Sequence, residues 1–451
     1  MKKLLLILPF LLLVAMGARA ADNIAQAIWC SSNHTLYFDY CGEITGGTYS
    51  GQAFTSVFRV PTDTYTESTS LDWQKDDVKS NATTVVFTEA FKNFKPKCCL
   101  GWFKGFEQLA TITGLSNLDT SEVTDMDYMF ENCFSLVTID VNTFDVSSVT
   151  SAQSMFIACE ELTTIYCNKT WSIGNTTSMF GNCSKLKGAV AYSSSSMTGD
   201  MATPNNGYFT ARVSLSDEVS DATDLTTYSG YYGDVTLSGL TLYKDGNWNT
   251  LCLPFDVTVS GSPLADASIK QLDEDNTNLS GGKLTLRFTT DAYETISAGT
   301  PVIVKWEATG ENIENPVFKG VTISGQNNAK TITTSDGKVK FVGQFAPFAI
   351  TADNINDILY IGSGNKVGYA KTERTLKRFH AHFEVPADAG APVQAVSVID
   401  FGDTNDTTGI STLICHLESG DDYWYTIDGR RLSGEPARHG LYIYKGVVVK
   451  K

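Results

Sequence analysis

Residues 129–139 read MFENCFSLVTI, and the pattern returns as MFIACEELTTI at 155–165 and as MFGNCSKLKGA at 179–189. Each copy places a cysteine four residues after the methionine and a leucine three residues after the cysteine. The methionines are 26 and then 24 residues apart. A period in this range is typical of stacked supersecondary units, each of which buries its apolar face only against its neighbours.

An earlier, degenerate copy extends the array. Trp102 and Phe103 take the Met-Phe places, Phe106 takes the cysteine place, and Leu109 and Ile112 follow in register. The sequence therefore predicts about four units of 24–27 residues. The predicted repeat core consists of Met129, Phe130, Cys133, Leu136, Ile139, Met155, Phe156, Cys159, Leu162, Ile165, Met179, Phe180, Cys183 and Leu186.

The repeated cysteine has three interpretations. Because Phe106 occupies the same position in the degenerate copy, the position accepts an apolar side chain, and a column of buried thiols is favoured. Disulfides between neighbouring units are the second interpretation. Metal or redox chemistry is the third, and it is disfavoured because no second ligand recurs at a fixed offset.

Each unit divides into a turn segment and a strand. The spacing of Val123, Met126 and Met129 predicts a short helix or 3₁₀ turn, with Ser121 or Thr124 as a cap. After the cysteine, an L-x-x-I pattern predicts a strand whose alternate side chains face solvent. The outward positions, expected on one sheet, are the candidate binding residues Thr111, Thr113, Thr138, Asp140, Asn142, Thr164, Tyr166 and Asn168.

The repeat, with LDTSEVTDMDYMF (118–130) before its first cysteine, resembles that of BspA-like leucine-rich-repeat surface proteins of Bacteroidetes. The flanks AIWCSSNHTLYFDY (27–40) and the segment from Lys185 to Thr210 are similar to that family too, so the resemblance covers about residues 25–210. It implies a surface-exposed repeat protein with a role in adhesion or protein binding. The adjacent Cys98 and Cys99 depart from the pattern.

The first twenty residues predict a secretory signal peptide, with Lys2 and Lys3 before an apolar core and a small-x-small cleavage site ending at Ala20. The chain has a formal net charge of −16; this segment carries three basic residues and no acid, so the mature protein has −19. This charge disfavours nucleic acid and anionic membranes as partners. No later stretch is apolar for long enough to span a bilayer, so a soluble, exported protein is expected.

Short alternating runs punctuated by Gly, Asn, Asp and Pro begin near Gly230 and predict a β-sandwich or related barrel. The tail YWYTIDGRRLSGEPARHGLYIYKGVVVKK (423–451) resembles the sorting domains of type IX secretion, and the alternative is an ordinary terminal hairpin. The segment from Ala211 is read as a linker or as the first strand of the β domain.

The fold class is therefore multidomain and mostly β, with a short leucine-rich-repeat-like solenoid, a β-sandwich and a small C-terminal β tail. The predicted boundaries are a signal peptide (1–20), an N-terminal β segment capping the repeats (21–97), the solenoid (98–210), a linker (211–229), the β-sandwich (230–400), a second linker (401–414) and the sorting-like tail (415–451).

Searches for catalytic and metal motifs found none that was convincing. His380 and His382 stand two apart on a predicted strand, and partly exposed strand histidines are favoured over a metal pair because no third ligand is identifiable. The acidic segment LDEDNTN (272–278) and the alternate Asp403, Asn405 and Thr407 are read as solvated turns rather than calcium loops. Tyr228, Tyr231 and Tyr232 are expected to pack rather than to stack on sugars. No cofactor or metal is expected.

Two functions remain open from sequence. The favoured one is a non-enzymatic, adhesin-like surface protein that binds proteins or glycans, such as host surface or extracellular matrix components, through the exposed strand face of the repeats. The alternative is a carbohydrate-binding or glycan-acting surface protein that uses the β-sandwich. Neither identifies the ligand, the disulfide connectivity, the oligomeric state or whether the mature protein is attached or released.

Overall fold

The structure is a computed structural model that describes residues 23–450 apart from 68, 70, 290–292, 308–309, 363–364, 386–394, 402–423, 427–434, 437–440 and 445–446. The predicted signal peptide, nearly all of the predicted linker 401–414, Cys415 and the Asp428-Gly429 turn lie outside the described residues. What is described is mostly β, with few helices and many small sheets. None of the described helices is long and apolar enough to cross a membrane.

The chain divides into two compact units. The N-terminal unit comprises the described residues of Met1–Tyr166, Trp171–Leu186 and Tyr192–Ala202. The C-terminal unit comprises Cys167–Thr170, Lys187–Ala191 and the described residues from Thr203 onwards.

The N-terminal unit is built from short strands and single helical turns. Its strands are β1 (Ile24–Cys30), β2 (Thr35–Cys41), β3 (Thr48–Tyr49), β4 (Gln52–Ala53), β5 (Ser56–Arg59), β6 (Thr84–Phe87), β7 (Thr111–Thr113), β8 (Thr138–Asp140) and β9 (Thr164–Tyr166). Its helices are α1 (Asp76–Lys79) and the 3₁₀ helices Asp72–Gln74, Glu89–Asn93, Leu115–Asn117 and Gly199–Met201.

A five-stranded sheet forms the start of this unit, in the order β5-β1-β2-β6-β7. The hairpin β1–β2 and the pair β1–β5 are antiparallel, whereas β2–β6 and β6–β7 are parallel. Phe38 on β2 is buried, and its ring packs against Trp73, Phe87, Phe91, Trp102 and Phe103. The first repeat strand, β7, therefore belongs to the N-terminal sheet, and the degenerate repeat contributes its aromatic pair to the same core.

The repeats stack on one another through the backbone. Each coil donates hydrogen bonds to the next at an offset of one repeat, as from Phe103 N to Met129 O, Phe130 N to Met155 O and Phe156 N to Met179 O, each 2.9 Å. The phenylalanine rings follow the same axis. Phe130 stacks on Phe103 and on Phe156 at 5.5 Å, and Phe156 stacks on Phe180 at 5.9 Å. All fourteen residues of the predicted repeat core are buried.

The segment before each cysteine is a series of turns, not the predicted short helix. Two positions in each copy have positive φ: the residue before the Met-Phe pair and the third residue after its methionine. These residues are Gly101 and Gly105, Tyr128 and Asn132, Ser154 and Ala158, and Ser178 and Asn182. A left-handed residue at both positions interrupts helical hydrogen bonding. The apolar residues are spaced as in a helix, but they are carried by consecutive turns.

The C-terminal unit contains the remaining described strands and one α-helix, α2 (Thr223–Thr227). The strands are β10 (Phe209–Ser216), β11 (Tyr232–Ser238), β12 (Thr241–Leu242), β13 (Asn249–Leu251), β14 (Val257–Thr258), β15 (Ser268–Lys270), β16 (Asn278–Ser280), β17 (Lys283–Arg287), β18 (Thr295–Ile296), β19 (Val302–Lys305), β20 (Ile313–Glu314), β21 (Val317–Thr322), β22 (Thr331–Thr333), β23 (Lys340–Gly343), β24 (Phe348–Ile350), β25 (Ile358–Gly362), β26 (Lys366–Tyr369), β27 (Arg374–Leu376), β28 (Ala381–Glu384), β29 (Ala395–Asp400), β30 (Trp424–Thr426), β31 (Leu441–Tyr444) and β32 (Val447–Lys450). A further 3₁₀ helix spans Gln326–Asn328.

These strands form several small sheets. The larger ones are β22-β23-β28-β25-β26, β13-β19-β15 and β16-β17-β29, and β11 pairs with both β10 and β21. The tail strands β30, β31 and β32 make an antiparallel sheet.

Strand β19 separates two apolar cores of this unit. Val302 and Val304 belong to one core and Ile303 belongs to the other. Successive side chains on a strand point to opposite faces. Because β19 is buried on both faces, all of its consecutive residues Val302, Ile303 and Val304 are apolar. The neighbouring β13 and β15 complete the sheet on either side of β19.

Residues 211–229 are not a linker. They include most of β10 and all of α2. Val213 and Leu215 on β10 and Leu225 on α2 are buried in one of the two cores. Most of the Ser, Thr and Asp residues that suggested a linker are exposed or half-buried on the strand, on the helix and in the turn between them, but Asp217 is buried.

Candidate functional site

The candidate binding residues do not form one surface, contrary to the prediction. Thr111 and Thr113 lie on β7, which pairs with β6 in the N-terminal sheet. Thr138 and Asp140 lie on β8, which pairs in parallel with β9. β7 and β8 belong to different sheets. After β7 the chain turns away through Gly114, which has a positive φ, and the 3₁₀ helix Leu115–Asn117.

The strands β8 and β9 bring four candidate side chains together, and we call them the β8–β9 surface. Thr138 is beside Thr164, and Asp140 is beside Tyr166. Thr138 is exposed and the other three are half-buried, while Ile139 and Ile165 between them are buried. The surface therefore consists of two cross-strand pairs of outward side chains, and the buried pair Ile139 and Ile165 between them anchors both strands to the core.

The two candidate asparagines have local structural contacts. The backbone N–H of Asn142 donates to Asp140 Oδ1 at 3.0 Å, which closes a turn after β8. Within the C-terminal unit, Asn168 Nδ2 donates to Arg212 O and Asn168 Oδ1 accepts from Arg212 N, both at 2.8 Å. A side chain bonded in this way to both backbone groups of one residue is committed to structure, which removes Asn168 from the binding surface.

A second set of polar side chains, missed from the sequence, lines the turn segments. We call it the turn row, and it consists of Asp125, Asp127, Ser151, Gln153, Asn175 and Thr177. Isolated parallel bridges join Asp125 to Ser151 and Ser151 to Asn175. Their spacing of 26 and 24 residues repeats that of the methionines, so the periodicity of polar residues could have identified this row.

The turn row is joined by hydrogen bonds. Ser151 Oγ and the backbone N–H of Gln153 both donate to Asp127 Oδ1. Asn175 Nδ2 donates to Ser151 Oγ at 2.9 Å and to Gln153 Oε1 at 3.2 Å. Burial raises the pKa of Asp125, and the nearby carboxylates of Asp127 and Glu67 add to the effect. The turn row holds successive coils together, whereas the β8–β9 surface presents its side chains outward.

The repeated cysteines are free thiols that bond the preceding coil. Cys133 Sγ donates to Phe103 O at 3.3 Å, Cys159 Sγ to Phe130 O at 3.1 Å and Cys183 Sγ to Phe156 O at 3.0 Å. Burial raises the pKa of all three, to about 12 for Cys183. A buried thiol with a raised pKa is a poor nucleophile, and this geometry gives the column a structural role.

The remaining described cysteines also form no disulfide, and the adjacent Cys98 and Cys99 are among them. In the part of the chain that the structure describes, no group of three or more His, Cys, Asp or Glu side chains is arranged to hold a metal ion.

The prediction of partly exposed strand histidines is wrong for His382, which is fully buried on β28. Its Nδ1 lies 2.9 Å from Gln344 Oε1, and its ring stacks on Phe348. His380 precedes the strand, is half-buried, and places Nδ1 3.0 Å from Thr250 O. Burial lowers the pKa of both histidines, and for His382 it outweighs the attraction of the Glu384 carboxylate. Long-range packing against residues 344–348 and 250 accounts for this burial.

The sugar-stacking interpretation of the tyrosines finds no exposed platform. Tyr228, Tyr231 and Tyr232 are half-buried, and the first two pack against the apolar core that contains β10.

Comparison with known proteins identifies one similarity. A family model described as "Mycoplasma protein of unknown function, DUF285" matches residues 100–203. No curated protein and no solved structure matches the chain. The matched segment starts in the degenerate copy and ends after the last Met-Phe copy, so the similarity covers the repeats and stops before β10.

Proposed function

We propose that this is an exported, non-enzymatic binding protein whose repeats hold protein or glycan partners through the β8–β9 surface. The arrangement of Thr138, Asp140, Thr164 and Tyr166 supports the proposal. The four side chains are neighbours on two paired strands, and binding residues on strands are positioned more accurately than those on loops. The surface is shallow, which suits a macromolecular partner better than a small molecule.

The charge of the repeats specifies the chemistry of the partner further. From Gly105 to Asn168 the chain has ten Asp and Glu residues and no Lys, Arg or His. A surface of one sign favours partners of the opposite sign and speeds their association. We therefore propose that the partner surface is basic and that binding weakens as salt concentration rises.

The proposal also assigns a specific architecture to each unit of this mostly β protein. The backbone ladder and the stacked rings support a short leucine-rich-repeat-like solenoid, and the two cores divided by β19 support a layered, sandwich-like C-terminal unit. The predicted signal peptide and the resemblance of the repeats to BspA-like surface proteins support a place at the cell surface or outside the cell. The proposal includes cleavage of residues 1–20 and a sorting role for the C-terminal tail.

The test uses the full mature chain as bait for solubilised surface proteins, matrix proteins and an array of glycans. The binding constant of each captured partner is then measured with Asp140→Lys combined with Tyr166→Ala. We expect affinity to fall at least about tenfold, since a buried aromatic anchor and a charge contact are lost together.

The control variant is Glu160→Lys, which makes the same charge change at an exposed position outside the β8–β9 surface. Equal affinity of the folded double variant and the wild-type protein would show that the partner binds elsewhere. An equal loss in Glu160→Lys would show that net charge, not this surface, determines binding.

A further inference from the structure

The C-terminal unit contains a cavity of about 330 Å³. Residues after β15 and β17, before β19 and on β22 line it, so loops distant in sequence meet there. The lining residues are Gln271, Leu272, Asp273, Glu274, Thr289, Thr300 and Ile332. The volume is at the low end of the range for small-molecule sites, about 300–1,000 Å³, so the cavity fits a compact ligand.

Two polar side chains of the lining have no hydrogen bond to any described residue: the half-buried amide of Gln271 and the exposed carboxylate of Glu274. The other polar groups are held in place by the protein. Asp273 accepts from the backbone and side-chain nitrogens of Asn276 at 3.1 and 2.8 Å. The cavity therefore offers the side chains of Gln271 and Glu274 to a ligand, beside a turn that hydrogen bonds between Asp273 and Asn276 hold in place.

The threonine hydroxyls on the opposite side are fixed as well. Thr289 Oγ1 accepts from the backbone N–H of Gln271 at 3.2 Å and lies 3.1 Å from Tyr293 Oη. Thr300 Oγ1 accepts from Lys330 Nζ at 3.2 Å. Their remaining lone pairs are oriented before any ligand arrives, which reduces the entropy cost of binding.

We infer that this cavity binds one neutral sugar residue. An amide both donates and accepts, a carboxylate accepts, and hydroxyls do either, and this set matches the vicinal hydroxyls of a sugar. The side chain of Ile332 and the buried Leu272 supply apolar contact for the C–H groups of the ring.

The charges around the cavity exclude the simplest competitors. Asp273 and Glu274 repel an anion, while the ammonium of Lys330 at Thr300 weakens the attraction for a small cation. A neutral polyhydroxy ligand meets neither penalty. The inference does not rest on the proposed function, because every lining residue belongs to the C-terminal unit.

The experiment is saturation-transfer NMR on the full mature chain with glucose, galactose, mannose, fucose and N-acetylglucosamine as separate probes. L-lysine and methyl phosphate, which both carry carbon-bound protons, are the cationic and anionic comparison probes. We expect transfer to at least one sugar and little to the comparison probes. In the variant Gln271→Ala with Glu274→Gln, we expect the affinity for that sugar to fall about tenfold or more, because the hydrogen bonds of the Gln271 amide are lost and the acceptor at position 274 loses its charge.

The matched control is Gln326→Ala with Glu314→Gln, which makes the same two changes at exposed positions outside the cavity. Neither replaced side chain of the cavity variant bonds another described residue, so that variant should keep the wild-type melting temperature. The inference is overturned if no sugar shows transfer, if L-lysine or methyl phosphate binds as well as the best sugar, or if both variants lose the signal equally.

Discussion

The two units of this protein use their buried residues in different ways. In the N-terminal unit the same residue types return every 24–27 positions, each Phe ring stacks on its counterpart one coil away, and each repeated Cys bonds the Phe carbonyl of the preceding coil. In the C-terminal unit, buried contacts are unique and join distant segments. Arg378 is fully buried and makes a bidentate pair with Asp224, 154 residues away, at 2.8 and 2.9 Å.

The comparison teaches that one substitution has different consequences in the two units. A residue of the repeat core has an equivalent in each of the other coils. Substituting it removes the contacts of one coil and leaves the contacts between the other coils in place. The Arg378 guanidinium also bonds the carbonyls of Phe345 and Ser216. Its removal therefore leaves an acid and two carbonyl groups without their partner at once.

The largest expected effect tests this difference directly. Arg378→Ala should destabilise the C-terminal unit by about 3–5 kcal/mol, because removing one partner of a buried ion pair leaves an uncompensated charge. The measurement is urea unfolding of the full chain, with the two units followed by separate tryptophan and hydrogen-exchange signals. Arg374→Ala, at an exposed position, is the control and should change stability by less than about 0.5 kcal/mol. A small effect of Arg378→Ala would remove the distinction between the units.

The buried histidines should make only the C-terminal unit sensitive to mild acid. Because burial lowers the pKa of His380 and His382 in the folded state, the unfolded state binds protons first as pH falls. Stability is complete above the unfolded pKa of about 6.5 and declines below it, by at most about 1.4 kcal/mol per pH unit for each histidine.

Unfolding at pH 7.5 and pH 5.5 checks this sign. The double variant His380→Gln with His382→Gln should lose most of the difference between the two conditions. An equal acid effect in the variant and in the wild-type protein would assign it to other groups.

The thiol column should show the modest, distributed effect of a repeat. Cys133→Ala, Cys159→Ala and Cys183→Ala should each destabilise the N-terminal unit by about 1–2 kcal/mol through loss of a small buried group. Partner binding should be retained in the folded protein, because the thiols bond backbone carbonyls inside the stack. Loss of binding in a fully folded cysteine variant would contradict the structural role.

A smaller effect is expected at the left-handed positions of the repeats. Ala158 has φ +58°, where equivalent positions carry asparagine or glycine. Ala158→Gly should stabilise the N-terminal unit by about 0.5–1 kcal/mol, because glycine adopts this conformation without a Cβ penalty. Ala152→Gly, at a buried position without positive φ, should destabilise it instead. Thermal unfolding of both variants separates backbone strain from a general effect of glycine.

The smallest effect on stability is expected at the β8–β9 surface. Thr138 is exposed, so Thr138→Ala should change the free energy of unfolding by less than about 0.5 kcal/mol. If the proposed function holds, the same variant weakens partner binding. A large loss of stability would show that Thr138 belongs to the core, which would place the surface with the structural turn row.

Sequence periodicity was sufficient for the repeats because their contacts recur at a fixed offset of about one repeat. The spacing of Met129, Met155 and Met179 identified the units, and the Phe106 copy indicated an apolar environment for the cysteines. It could not show that the turns use left-handed residues at Tyr128 and Ala158, because neither residue type has a strong preference for that conformation.

The candidate site was predictable only in part for the same reason. The alternation on β8 and β9 placed Asp140 and Tyr166 on an outward face, and the pairing register then made them neighbours. The assignment of β7 to another sheet and the bonds between Asn168 and Arg212 depend on contacts that span tens of residues. The cavity at Gln271 and Glu274 depends on four separate segments, and the sequence indicated only a polar turn there.

The sequence by itself determined the repeat period, the residues that form its core, the mostly β composition and the anionic character of the array. These properties follow from residue type and spacing, which act over a few positions along the chain. Only the tertiary structure decided that His382 and Arg378 are buried, that the thiols donate to the carbonyls of the preceding coil, and that the apolar residues of 211–229 join a core. Burial depends on which segments distant in sequence contact each other, and those contacts cannot be read directly from a single sequence.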